Sequence, residues 1–122
     1  MLFRSHDSHN LIVIGCSEED MACAANCVRQ MGGGYAVVDG GQVLSVQPLP
    51  VAGLMSPESA RTVAQQNEAI YRAMHALGVP KENNPLMAMA FAALPVIPHL
   101  KMTTTGLVNG DTFTRVEVLA QE

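Results

Sequence analysis

Five consecutive residues, His6-Asp7-Ser8-His9-Asn10, gather two imidazoles, a carboxylate, a hydroxyl and an amide. These side chains can move protons, hold a metal or grip a polar ligand. They run directly into the apolar stretch Leu11-Ile12-Val13-Ile14-Gly15. Polar groups at the mouth of a buried strand each need a partner or water, so folding alone explains them poorly. The stretch is therefore read as the functional edge of the molecule. In an extended segment side chains alternate, placing His6 and Ser8 on one face and Asp7 and His9 on the other. That geometry allows an Asp7–His9 contact but no Ser-His-Asp relay, which must converge on one point. A His-x-x-His metal pair arises only if the segment turns. The competing structural reading is a solvated strand end whose side chains bond to nearby backbone.

The totals bound what this edge belongs to. A chain of 122 residues has room for one domain with a single core. Hydrophobic residues make up 48% and charged residues 15%, the balance of a globular chain. With no Trp, three Phe, two Tyr and eight Met, the core must rest on aliphatic side chains and adaptable thioethers. The net charge is -4 and the 7 basic residues are scattered, so no cationic stripe offers itself to nucleic acid. No apolar stretch reaches the length of a membrane span, and Met1-Leu2-Phe3-Arg4-Ser5-His6 lacks the apolar core of a signal peptide. A cytoplasmic location is expected. Cys16, Cys23 and Cys27 form an odd set, expected to be reduced. Cys23 and Cys27 share a helical face, where they read as small apolar residues; a metal would need two further ligands.

The supporting elements follow in order. Residues 11–15 are rich in β-branched side chains and suit a strand covered on both faces. Ser17 caps a helix with Glu18, Glu19 and Asp20 in its first turn. Met21, Ala24, Ala25, Val28 and Met31 form its buried stripe. Gly32-Gly33-Gly34 follows a helix and precedes a strand, the wrong order for a phosphate-binding turn, and reads as a helix stop. Residues 35–39 form the next strand, Gly40-Gly41 a hairpin turn, and residues 42–46 the returning strand. Strand, helix and strand over residues 11–39 predict two parallel strands. Residues 48–56 make a stiff apolar connection. Ser56 is expected to cap a second helix, with Pro57 at its first position and its end near Leu77. Its buried stripe is Ala60, Val63, Ala64, Ile70, Met74 and Leu77, with Gln65, Gln66, Glu68 and Arg72 solvated. Asn84-Pro85 opens a short helix over residues 86–94 that is apolar all round, hence buried in the domain or against a partner. His99 reads as a surface or locally bonded histidine, and residues 112–119 as a last strand. The expected fold class is α/β, with α+β as the alternative. It is one domain over residues 1–122, with a mixed β-sheet of about five or six strands, two main helices and one short buried helix.

Four stretches, in this order, carry a resemblance. They are His6-Asp7-Ser8-His9-Asn10 leading into residues 11–15, and Glu19-Asp20-Met21-Ala22 opening a helix that ends in Gly32-Gly33-Gly34. The others are Pro48-Leu49-Pro50-Val51-Ala52-Gly53-Leu54-Met55-Ser56, and Leu94-Pro95-Val96-Ile97-Pro98 followed by Gly106-Leu107-Val108. Together they resemble the C-terminal domain of bacterial adenine deaminase, over nearly the whole chain. The resemblance implies hydrolysis of adenine to hypoxanthine and ammonia, in purine salvage, by an amidohydrolase. It implies an iron or manganese centre on a separate barrel, which supplies a His-x-His pair, further histidines and an aspartate. His6, His9, His75 and His99 are the histidines here, and none forms His-x-His. A barrel would need about 250 residues of its own. By the resemblance, further residues precede the His-Asp-Ser-His-Asn motif in relatives. The chain is therefore expected to be truncated at its N-terminus, as an excised piece or a short stand-alone relative.

The expected function is an accessory domain that is inactive alone. Its partner is the amidohydrolase barrel, in cis or in trans, and purine reaches it through that barrel. His6, Asp7 and His9 are the catalytic candidates, and Ser8, Asn10, Met55 and Ser56 the substrate-binding candidates. No metal ligand set and no cofactor are assigned to this chain. No nucleic-acid or membrane partner is expected, and a homo-oligomer is a further possibility. The alternative is a stand-alone binding or assembly module using residues 86–94 and 48–56 as contact surfaces. Autonomous catalysis by the His-Asp-Ser-His cluster lacks enough convergent ligands.

Overall fold

The computed structural model describes residues 2–4 and 10–118. In chain order the elements are β1 (Leu2–Arg4), β2 (Leu11–Val13), α1 (Glu18–Met31), β3 (Gly34–Asp39) and β4 (Gln42–Pro48). These are followed by α2 (Ala60–Ala76), α3 (Pro85–Ala92), β5 (Leu100–Thr103), β6 (Gly106–Asn109) and β7 (Thr114–Arg115). The α/β class holds, with two main helices and one short one. The strands, however, divide into two sheets, ordered β2-β1-β3-β4 and β5-β6-β7. Every neighbouring pair is antiparallel. β2 and β3 do run the same way, as expected, but β1 lies between them and opposes both.

β3 is the spine of the fold. Alternate side chains of a strand face opposite ways, and both faces of this one are covered. Ala36 and Val38 pack with Ala24 and Val28 of α1. Val37, between them, packs with Ile70 and Met74 of α2 and Leu86 of α3. The sheet is thus clasped between α1 on one side and α2 with α3 on the other. This is why residues 35–38 read as an unbroken apolar run rather than an alternating one.

β2 departs from expectation. It is a three-residue edge strand, with Ile12 buried against Met89 and Ala93, and Val13 turned to the α1 side. Leu11, at the start of this edge strand, and Ile14, just past its end, are exposed.

Local chemistry sets the helix ends. The Ser17 hydroxyl accepts from the Asp20 amide at 3.2 Å, and Gly32 closes α1 in the left-handed conformation with φ 75°. α2 starts later than expected, at Ala60 with Ser59 as its cap. Ser56 spends its hydroxyl on the Glu58 amide, a two-residue turn that competes with helix initiation. Within α2 only Ile70 and Met74 are fully buried, while Ala60, Ala64 and Leu77 are exposed. Asn84 caps α3, which buries Pro85, Leu86 and Met89 but leaves Met87 and Phe91 exposed. Of the two expectations, burial within the domain therefore holds for one face of the helix and not for the other. The last strand is shorter than the alternation of residues 112–119 suggests. Phe113 takes φ 54°, and only Thr114–Arg115 pair as strand.

Candidate functional site

The larger cavity, about 840 Å³, opens beyond the carboxyl ends of β2 and β3. Its walls are apolar: Ile14, Met21, Val37, Val38, Met74, Leu77, Val79 and Met89 among them. Its polar contributors are Cys16, Ser17, Asp20, Asp39, Asn83 and Asn84. Several of its polar groups are already engaged. The Asp20 carboxylate accepts from the Gly40 and Gly41 amides at 3.0 and 2.7 Å, clamping the β3–β4 turn onto α1. Asn84 Oδ1 accepts from the Met87 amide and the Tyr71 hydroxyl, each at 3.0 Å. The start of α1 does not suit an anion, because Glu18, Glu19 and Asp20 already occupy its first turn. The Glu19 carboxyl is held below its ordinary range by its backbone hydrogen bond and by the Ser17 hydroxyl. An acidic rim over apolar walls suits a neutral or cationic guest.

A second, more open cavity of about 620 Å³ lies at the other end of the sheet. It is bounded by β4, the turn that follows it and the first half of α2. Tyr35, Gln47, Met55, Ser56, Val63 and Asn67 are among its lining. Gln47 is buried, its Nε2 reaching the Val63 carbonyl at 3.5 Å while its Oε1 has no hydrogen-bond partner among the described residues. Burial, and to a lesser degree nearby Tyr71, push the Tyr35 phenol above its ordinary range.

The structure brings together two of the residues singled out in the sequence, Met55 and Ser56, in this second cavity. Asn10 is half-buried just before β2. The registers Arg4 with Leu11, Leu2 with Ala36 and Gly34 with Pro48 put Asn10 at the sheet end from which the Met55 segment departs. His6, Asp7, Ser8 and His9 lie outside the described residues. The remaining histidines are locally bonded: His75 Nδ1 lies 2.8 Å from the Val79 carbonyl, and His99 Nδ1 3.2 Å from Asp111 Oδ2. The larger cavity was not foreseen. A Gly-Cys-Ser turn between a strand and a helix N-terminus was the signal available for it.

Among the described residues, no three His, Cys, Asp or Glu side chains converge on a point that could hold a metal ion. Cys23 and Cys27 do lie together on α1, but as apolar neighbours of the core. Burial, then Cys23 beside it, pushes the Cys27 thiol up. A metal centre therefore does not fit the described part of this chain. The two cavities can bind and orient; neither lining contains an imidazole to shuttle a proton.

Comparison with known proteins completes the picture. Residues 4–114 match the family described as adenine deaminase C-terminal domain. Adenine deaminases of Escherichia coli strain K12 / DH10B, Escherichia coli O157:H7 strain EC4115 and Escherichia fergusonii are each 52% identical to it over 116 residues. That alignment covers 93% of this chain but 20% of each relative, so the chain spans about a fifth of their length. A match across nearly all of the sheet-and-helix framework, at this identity, places the chain in the adenine deaminase C-terminal domain family.

Proposed function

We propose that the chain works as the accessory domain of a metal-dependent adenine deaminase. That enzyme turns adenine and water into hypoxanthine and ammonia, in cytoplasmic purine salvage. The iron or manganese centre belongs to an amidohydrolase barrel that meets this domain in cis or in trans. The observation that carries the reading is 52% identity to adenine deaminase over 93% of the chain. Metal-assisted deamination needs an activated water and a proton shuttle, which this reading assigns to the barrel. In this reading His6, Asp7 and His9 face the barrel mouth and Ser8, Asn10, Met55 and Ser56 help seat the purine.

The test is a chimera in which this chain replaces the matching fifth of the Escherichia coli enzyme. It is expected to deaminate adenine. His6→Ala, Asp7→Ala and His9→Ala are each expected to lower its kcat/KM by about tenfold or more. Rates that do not change would make the motif structural, and a folded chimera without turnover would count against the accessory role.

A further inference from the structure

The sheet β5-β6-β7 leaves large apolar side chains exposed on one face. Leu100 pairs with Asn109, Met102 with Leu107 and Asn109 with Thr114. The Val116 amide donates to the Leu107 carbonyl at 3.0 Å, which carries this register one residue past β7. Directly opposed residues share a face, so Leu100, Met102, Leu107 and Val116 stand together. Lys101, Thr103, Val108 and Arg115 stand on the other face. A one-sided antiparallel sheet ordinarily turns its apolar side inward. Here Leu100 is 53% exposed, Met102 49% and Val116 40%, while Leu107 and Asn109 of the same face are half-buried, as are Lys101, Thr103 and Val108 of the other.

We propose that this face docks against the catalytic part of the longer enzyme, within the same chain. The inference rests on the accessory-domain reading. Two observations select that occupant. The family match runs to residue 114, so β5, β6 and the start of β7, with Leu100, Met102 and Leu107, belong to the shared domain, while the matched relatives have four fifths of their length outside it. The patch is also small, on the order of a few hundred Å², short of the roughly 800 Å² per partner of a stable complex between separate chains. A covalently joined domain meets its neighbour at an effective concentration in the millimolar range, so a modest apolar face suffices. The partner surface is accordingly apolar.

Methionine oxidation reads this face directly. Peroxide is added to the free chain and to the chimera, and oxidation at Met102 is followed by mass spectrometry. Met102 is expected to oxidise about tenfold more slowly in the chimera than in the free chain. Leu100→Lys is expected to return Met102 in the chimera to the free-chain rate, while leaving the melting temperature of the free chain unchanged. Equal Met102 rates in the two settings overturn the docking. So does a concentration-dependent dimer of the free chain that Leu100→Lys abolishes, because a second copy then covers the face. Adenine turnover is scored separately. Protection without turnover supports the docking and overturns the accessory role; turnover without protection does the reverse.

Discussion

Asp20 shows how much a single carboxylate does here. It sits in the first turn of α1, where its charge suits the helix dipole, and it takes both turn amides of the β3–β4 hairpin. Asp20→Ala is expected to lower stability by about 1 kcal/mol, read as a shifted urea midpoint with unchanged slope. Its place in a helix first turn was legible from Ser17-Glu18-Glu19-Asp20, but its reach to residues twenty positions away was not, because that bond exists only once the sheet has formed. Tyr35 makes a second prediction. Its raised pKa means that the fold favours the neutral phenol. Stability from this group is complete below the unfolded pKa and is lost as pH rises through the folded one. Tyr35→Phe removes the ionisable hydroxyl, so urea midpoints measured between about pH 8 and about pH 10.5 are expected to fall less steeply in the variant.

At the scale of elements, the triple glycine is a packing device. Gly32 ends α1, and Gly33 and Gly34 let two backbones pass in contact. A Cβ on Gly33 would collide with Gly53 Cα, and one on Gly34 with the Gln47 carbonyl oxygen. Gly34 also holds φ 132°, which side chains rarely adopt. Gly34→Ala is expected to cost about 3 kcal/mol or more, visible in thermal or urea unfolding. The helix stop was legible in the sequence; the close approach was not, since it depends on where residues 47 and 53 return. The same distinction runs through the fold. Ser17, Asn84 and Gly40-Gly41 act within a turn of chain and were read correctly. Ser56 was the expected cap of α2, but its hydroxyl is taken by the Ser56–Glu58 turn and Ser59 caps the helix instead. The insertion of β1 between β2 and β3 was hidden, because β1 pairs with strands on either side of a helix it precedes in sequence.

For the whole molecule, the exposed apolar residues are the informative feature. Val43, Leu44 and Val46 on edge strand β4, Met87 and Phe91 on α3, and Leu100 and Met102 on β5 all reach the surface. Composition alone gave a globular domain and could not show that so much of its apolar content stays uncovered. Of the candidate site, Met55 and Ser56 share a cavity, whereas the larger cavity arises from segments far apart in sequence and left only the Gly15-Cys16-Ser17 turn as a trace. The polar run that opened the reading is what the chimera variants address. The most direct measurement is ammonia release from adenine by the purified 122-residue chain, with iron or manganese added. No turnover is the expected result, because metal-assisted deamination needs an activated water and a proton shuttle, which the accessory-domain reading assigns to the barrel. Sustained turnover by this chain alone would contradict the accessory role.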